Sequence, residues 1–217
     1  MTARGRYRSV KRSQFVTKDP IASLETGARL ASQAGVPFAL VGRLAVWFYV
    51  PPEGQQLTKD ADLAVPYGHL PAVIGLANAQ NHRGRALSIG GYGISAPGRA
   101  VDFIDRYPDL SELYADAVAA ARRTRSLRLK VGRIAVPVVP VPYLITMKLV
   151  PHEPKDERDV QELLRLVKAA DYPELRKLVR RYLGVASVMY LDSLARSIGH
   201  RGPGMKRRYR GEHGQSR

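Results

Sequence analysis

Short apolar runs alternate along the chain with longer stretches of helical period, and their order predicts an α+β fold: a mixed, twisted sheet flanked by helices, with a helical C-terminal segment. Val36-Pro37-Phe38-Ala39-Leu40-Val41 reads as a short buried strand, and Gly42 follows it at the opening of an apolar helical stretch over 43–50. Upstream, Asp19 and Pro20 form a helix start, Ile21, Leu24, Ala28 and Ala31 fall on one face, and Gly35 supplies the stop. Further strands are expected at 59–65, 85–90, 91–96 and 99–105, and a hairpin around Gly132 at 126–131 and 133–138. Helices are expected at 69–80, 110–123, 142–150, 155–169, 172–183 and 185–198. The division that follows is a basic arm (1–18), a core (19–138), a helical C-terminal segment (139–200) and a basic tail (201–217), with no internal repeat.

Within this pattern, Asp60 and Asp62 alternate with apolar residues in Leu57-Thr58-Lys59-Asp60-Ala61-Asp62-Leu63-Ala64-Val65. Side chains two apart on a strand share a face, and two ionised carboxylates held that close repel each other unless a cation relieves them. A solvated acidic strand face is the plainer reading of the same residues. The strand, Gly42 and the helix behind it make an anion site, because backbone N–H groups and the positive end of the dipole meet there. In Val101-Asp102-Phe103-Ile104-Asp105, a regular strand can turn only one of its two acids to such a site. Lys148, beside the apolar face of 142–150, reads plainly as a snorkelling lysine, and Asp156 and Asp159 as acids favoured in the first turns of their helix. Trp47, Phe48 and Tyr49 read as core packing.

Taken in order, these residues resemble the nucleotidyltransferase fold of the DNA polymerase β superfamily, which pairs a strand-glycine-helix element with a following Asp-x-Asp strand. The resemblance is closest to the AbiEii-like and MenT-type nucleotidyltransferase toxins, whose G-G/S, helix, R-x-T-x-D-h-D stretch is matched by Gly42-Arg43 through Gln56-Leu57-Thr58-Lys59-Asp60-Ala61-Asp62, and it extends over residues 36 to 167. It implies that Asp60, Asp62 and Asp102 hold one or two Mg²⁺ ions; Asp102 is preferred to Asp105 because the family places this carboxylate between two apolar residues. It implies that Gly42 lets the backbone approach a nucleoside triphosphate, that Thr58 lines the same ledge, and that Lys148 grips the β- or γ-phosphate. Asp156, with Asp159 as the competing candidate, orients Lys148 or acts as a base. The implied activity is transfer of a nucleotide from a nucleoside triphosphate to the 3′ end of tRNA, which blocks translation, under the control of a partner antitoxin. Two positions depart from the pattern: Arg43 replaces a small residue and Gln56 an arginine, and Arg43 is expected to supply the charge missing at position 56. Those departures support a rival reading, a catalytically silent RNA- or partner-binding protein. A protein AMP transferase and an antibiotic nucleotidyltransferase are further alternatives.

Composition narrows the partners. The chain has 217 residues, 45% of them hydrophobic, which is enough for one filled core, and it has no cysteine for a disulfide or thiolate zinc site. His69, His82, His152, His200 and His213 show no ligand spacing. No apolar run approaches a membrane span, and a soluble, cytoplasmic protein is expected. The net charge of +16 is concentrated at the ends: Met1–Lys18 holds six basic residues and no acid, and Arg201–Arg217 six against Glu212. Basic arms interleaved with Tyr7 and Tyr209 suit a polyanion such as RNA, and a +16 protein repels small cationic substrates. Removal of either end is expected to weaken RNA binding about equally for all sequences and to flatten its salt dependence, because such charges contact phosphates and not base edges. A salt titration of truncated and full-length chains checks this; unchanged affinity at low salt would assign the ends to solubility alone.

Overall fold

Helix α1 (Pro20–Gln33) lies across the middle of a five-stranded mixed sheet, and the residues that let it do so are small: Gly27, Ala28 and Ala31 are buried along with Leu24 and Leu30. The protein is seen in a computed structural model, which describes residues 8–9, 20–55, 58, 60–96 and 99–200. Asp19, Gln56, Leu57, Lys59, the tail 201–217 and all of the arm 1–18 except 8–9 lie outside the described residues. The strands are β1 (Arg8–Ser9), β2 (Ala39–Val41), β3 (Ala61–Ala64), β4 (Gly84–Ala86), β5 (Tyr92–Ala96), β6 (Arg99–Ile104), β7 (Arg128–Val131) and β8 (Ile134–Pro137). The main sheet has the order β2-β3-β6-β5-β4, with β3 and β6 parallel and every other neighbouring pair antiparallel.

The alternation of the two central strands decides what each face carries. Ala61 and Leu63 pair in register with Val101 and Phe103, all fully buried, and this is the face under α1. The approach is close enough that a Cβ on Gly27 would fall 2.5 Å from Val101 Cγ2 and 3.0 Å from Leu63 Cδ1. The opposite face carries Asp62 and Asp102 and is flanked by α2 (Gly42–Tyr49), α4 (Ser111–Arg123) and α5 (Val141–Lys148). Trp47 and Phe48 are buried in the core as expected, while the half-buried Tyr49 donates to the Val139 carbonyl at 2.8 Å. Helix α3 (Leu70–Ala79) packs beside α1.

A second sheet, β1-β7-β8, holds the hairpin expected around Gly132, and joins the first where Leu40 bridges Val138 and accepts from Val139 N at 3.1 Å. Its first strand, Arg8–Ser9, lies parallel to β7. From there the chain turns through Pro140 and Pro142 into α5, α6 (Pro154–Leu164) and α7 (Tyr172–Ser197).

Several elements are shorter than the hydrophobic pattern predicts. β3 begins at Ala61, so Asp60 precedes the strand. The strand expected at 85–90 ends at Ala86, where Leu87 N bonds Gly91 O at 3.0 Å and the chain turns. The helix expected at 155–169 ends at Leu164, because the bonds Leu166 N to Leu163 O (3.0 Å) and Val167 N to Leu164 O (3.1 Å) tighten the chain into i→i+3 geometry. The two last helices form one run broken at Gly184, whose φ of 81° leaves the helical region. This run packs on α5 and α6 and stands behind the cleft wall, not in it.

Two glycine substitutions should separate close approach from helix propensity. Gly27→Ala is expected to destabilise by about 1–3 kcal/mol, because Val101 must move within a full core. Gly75→Ala, where an added Cβ meets nothing within 4 Å on an exposed helix face, is expected to stabilise by about 0.5–1 kcal/mol. Denaturant unfolding of the two variants checks the opposite signs.

Candidate active site

The chain leaves β2 at Val41, directly opposite Asp62 on the antiparallel β3, and must turn at once into α2. Gly42 makes that turn with φ 64°, and a Cβ there would lie 1.8 Å from Asp62 Oδ2. Both the backbone angle and the space require glycine. The first turn of α2 is therefore laid against the Asp62 carboxylate, and Gly42 and Arg43 line a cleft of about 700 Å³.

Across the sheet, register places Asp102 next to Asp62, Gly93 next to Asp102 and Arg85 next to Gly93, all in one row. Gly93 again makes room: a Cβ there would be 2.7 Å from Asp102 Oδ1. The acids feel one another. Burial pushes the Asp62 carboxyl up to about 7, with Asp102 and Asp60 adding to the effect and Lys148 and Arg43 opposing it. Burial and Asp60 raise Asp102, and Arg85 pulls it back. Asp60 itself is exposed at the cleft, and Thr58 Oγ1 donates to its carbonyl at 3.3 Å. Asp105 is buried on the other parity and accepts from Tyr107 N at 3.2 Å, a local turn contact.

The opposite wall is built from α2, α5 and α6. Lys148 Nζ lies 2.6 Å from Asp156 Oδ1 and 2.9 Å from Asp159 Oδ2, and Arg43 Nε lies 3.3 Å from the same Asp159 oxygen. Both acids are buried, at 3% and 2% exposure, and they stand three apart on one helix face. The two candidates for a single role thus act together on Lys148. Arg43 also donates to the Lys155 carbonyl at 3.5 Å. Gly42, Arg43, Thr58, Asp60, Asp62, Lys148 and Asp156 line one cleft. Tyr114, whose phenol burial pushes up to about 12, lines it too, as do Arg106 and Ile89; neither Arg106 in the cleft nor Arg85 in the row beside Asp102 stands out in the sequence, because only the turns and the strand register carry them there.

The donor set suits a hard divalent cation, because Asp62 and Asp102, both raised by burial and by neighbouring acids, gain most from a metal ion. Among the described residues, however, no three acidic or imidazole groups are gathered round a single point. Metal binding would have to draw the exposed Asp60 inward. The raised Asp62 pKa gives a signed expectation without metal. Its folded value exceeds the unfolded value near 3.8, so the native state holds a proton there, and the associated stability is present below about pH 4 and lost as pH rises through about 7. Urea unfolding in chelator should show a loss on the order of 4 kcal/mol between these limits that is largely absent in Asp62→Asn. Parallel curves for the two proteins would contradict it.

No protein-family model matches this chain, and no curated protein does. Solved structures resemble it at low identity. An antigenic nucleotidyltransferase-like protein from Paracoccidioides brasiliensis is 14% identical, with a TM-score of 0.47 over 80% of this chain and 98% of that one. The crystal structure of ANT(2″)-Ia in complex with adenylyl-2″-tobramycin is 12% identical, with a TM-score of 0.46 over 82% and 97%. The solution structure of the same antibiotic-resistance factor is 14% identical, with a TM-score of 0.45 over 82% and 91%.

Proposed function

We propose that the chain is a Mg²⁺-dependent nucleotidyltransferase that moves a nucleoside monophosphate from a nucleoside triphosphate to the 3′ end of tRNA, and that it is the toxin of a pair silenced by an antitoxin. The observation that carries the transfer reaction is the make-up of one cleft: Asp62 against the Gly42 turn with Asp102 beside it in register, and Lys148, held by two buried acids, on the α5 side. The tRNA and antitoxin parts rest on the resemblance of residues 36 to 167 and on the basic ends of the chain.

In this reading Asp60, Asp62 and Asp102 hold the ion, which when bound supplies charge neutralisation at the transferred phosphoryl group. The start of α2 binds triphosphate oxygens through backbone N–H groups. Lys148 offers a compact charge to the β- or γ-phosphate, and Asp156 and Asp159 fix its direction. The acceptor hydroxyl oxygen bonds to the α-phosphorus, the bond to the bridging oxygen breaks, pyrophosphate leaves and the hydroxyl proton passes to solvent. Positioning and charge do most of the work in such transfers.

A second reading, a silent nucleic-acid-binding protein of the same fold, is favoured by one contact: Arg43 stands beside Gly42, where the toxins have a small residue, and is engaged by Asp159. Incubation with each labelled nucleoside triphosphate, Mg²⁺ and total RNA separates the two. Label in tRNA supports the transferase, label in protein redirects it to AMP transfer onto proteins, and no label supports the silent protein. If transfer occurs, Asp62→Ala and Lys148→Ala should each reduce it by roughly a hundredfold or more. Lys148→Arg should be poorly tolerated, because a planar fork replaces a point charge between two fixed acids. Near-normal transfer by Lys148→Ala would remove the α5 wall from the site.

A further inference from the structure

The basic groups around the carboxylates fall into two sets on opposite sides. Arg43 and Lys148 belong to the α2 and α5 wall and are paired with buried acids. Arg85 and Arg106 belong to the other side. Arg85 is exposed on the edge strand β4, in the same row as Asp102 and Asp62, and the Asp102 carboxylate lies over Gly93 between them, where a Cβ would be 2.7 Å from Asp102 Oδ1. Arg106 lines the cleft where β6 ends, with its guanidinium 3.5 Å from the Ile89 carbonyl.

Beside Arg106 stands an aromatic pair that packing does not explain. Ala64 and Ile104 are register partners on the parallel strands β3 and β6, and Tyr67 and Tyr107 each follow three residues later. Their rings stack at 4.1 Å between centroids and 15° between planes, yet remain 55% and 52% exposed. The turn before β5 braces the pair: Gly90, with φ 86°, lies so close that a Cβ there would be 2.9 Å from Arg106 Cα and from Tyr107 N. A preformed aromatic stack beside Arg106, which lines the cleft, with Arg85 exposed on the edge strand of the same sheet, has the composition of a single-strand binding track: ring faces for bases and guanidinium groups for phosphates.

We propose that this end of the cleft is a docking site for an unpaired segment of nucleic acid, with the Tyr67–Tyr107 stack as base platform and Arg85 and Arg106 as phosphate contacts. Its assignment as the acceptor side rests on the transferase reading; the binding itself does not. Small cationic acceptors are repelled by the same arginines.

The test uses the full chain in chelator, without nucleotide, and fluorescence anisotropy of a short 5′-labelled unpaired RNA, with the same RNA in a duplex as control. Because a base stacked on an aromatic ring loses that contact on truncation, Tyr67→Ala with Tyr107→Ala is expected to weaken unpaired-RNA binding about tenfold or more, whereas the double Phe variant stays within about twofold of wild type. Arg85→Gln should lower the salt slope by about one phosphate contact. Unfolding curves confirm that the exposed substitutions leave the fold intact. Wild-type affinity in the double Ala variant, equal losses in the Phe variant, or equally tight and equally tyrosine-dependent duplex binding would each overturn the proposal. The two readings fail separately. Tyrosine-dependent binding without transfer of any nucleotide removes the transferase and keeps the platform. Transfer to RNA with kcat/KM unchanged in the double Ala variant keeps the transferase and removes the platform.

Discussion

The contact between the Gly42 turn and the Asp62 carboxylate sets the positions of most of what surrounds the cleft. A strand that ends opposite an acid can start a helix there only if the turning residue has no side chain and accepts a positive φ. Once α2 starts at that point, its second residue, Arg43, is delivered to Asp159 on α6, and Tyr49 reaches the Val139 carbonyl just before α5. The sheet, the helix and the C-terminal wall are thus joined through one residue without a side chain.

The carboxylate row is maintained against its own electrostatics. Asp62 and Asp102 are neighbours on parallel strands, partly removed from water, and each is raised by burial and by the other acids. A domain gains nothing in stability from such a row, and the fully buried apolar face under α1 carries the burden of holding the strands in register. Core and site are the two faces of the same pair of strands, separated by a single step of side-chain alternation.

Much of this was legible in the sequence, and the reasons are specific. The helix faces, the Gly42 junction and the two central strands follow from periodicity and from glycine at a strand-to-helix boundary. Trp47 and Phe48 are core residues, as their place on an apolar helix suggests. The ends of β3, β4 and α6 were not legible, because they depend on turn hydrogen bonds that hydrophobic pattern does not record. Asp156 and Asp159 compete in the sequence because spacing on a helix does not show what stands opposite; in the fold a single lysine lies within ion-pair distance of both. Arg85 was invisible for a different reason: its place in the acidic row exists only through the register of β4 on β5 and of β5 on β6.

The pairing of Arg43 and Lys148 with Asp156 and Asp159 has a consequence for any anion that enters. Two cations and two carboxylates make that wall electrically balanced before a ligand arrives. An incoming phosphate does not fill an electropositive hole; it competes with resident carboxylates for donors already engaged. Binding on that wall is an exchange of partners, in which little net charge is neutralised and few counterions are displaced. Discrimination there falls to shape and direction, so a ligand that reaches both cations at the angles the acids now occupy is accepted, and one that offers charge alone is not.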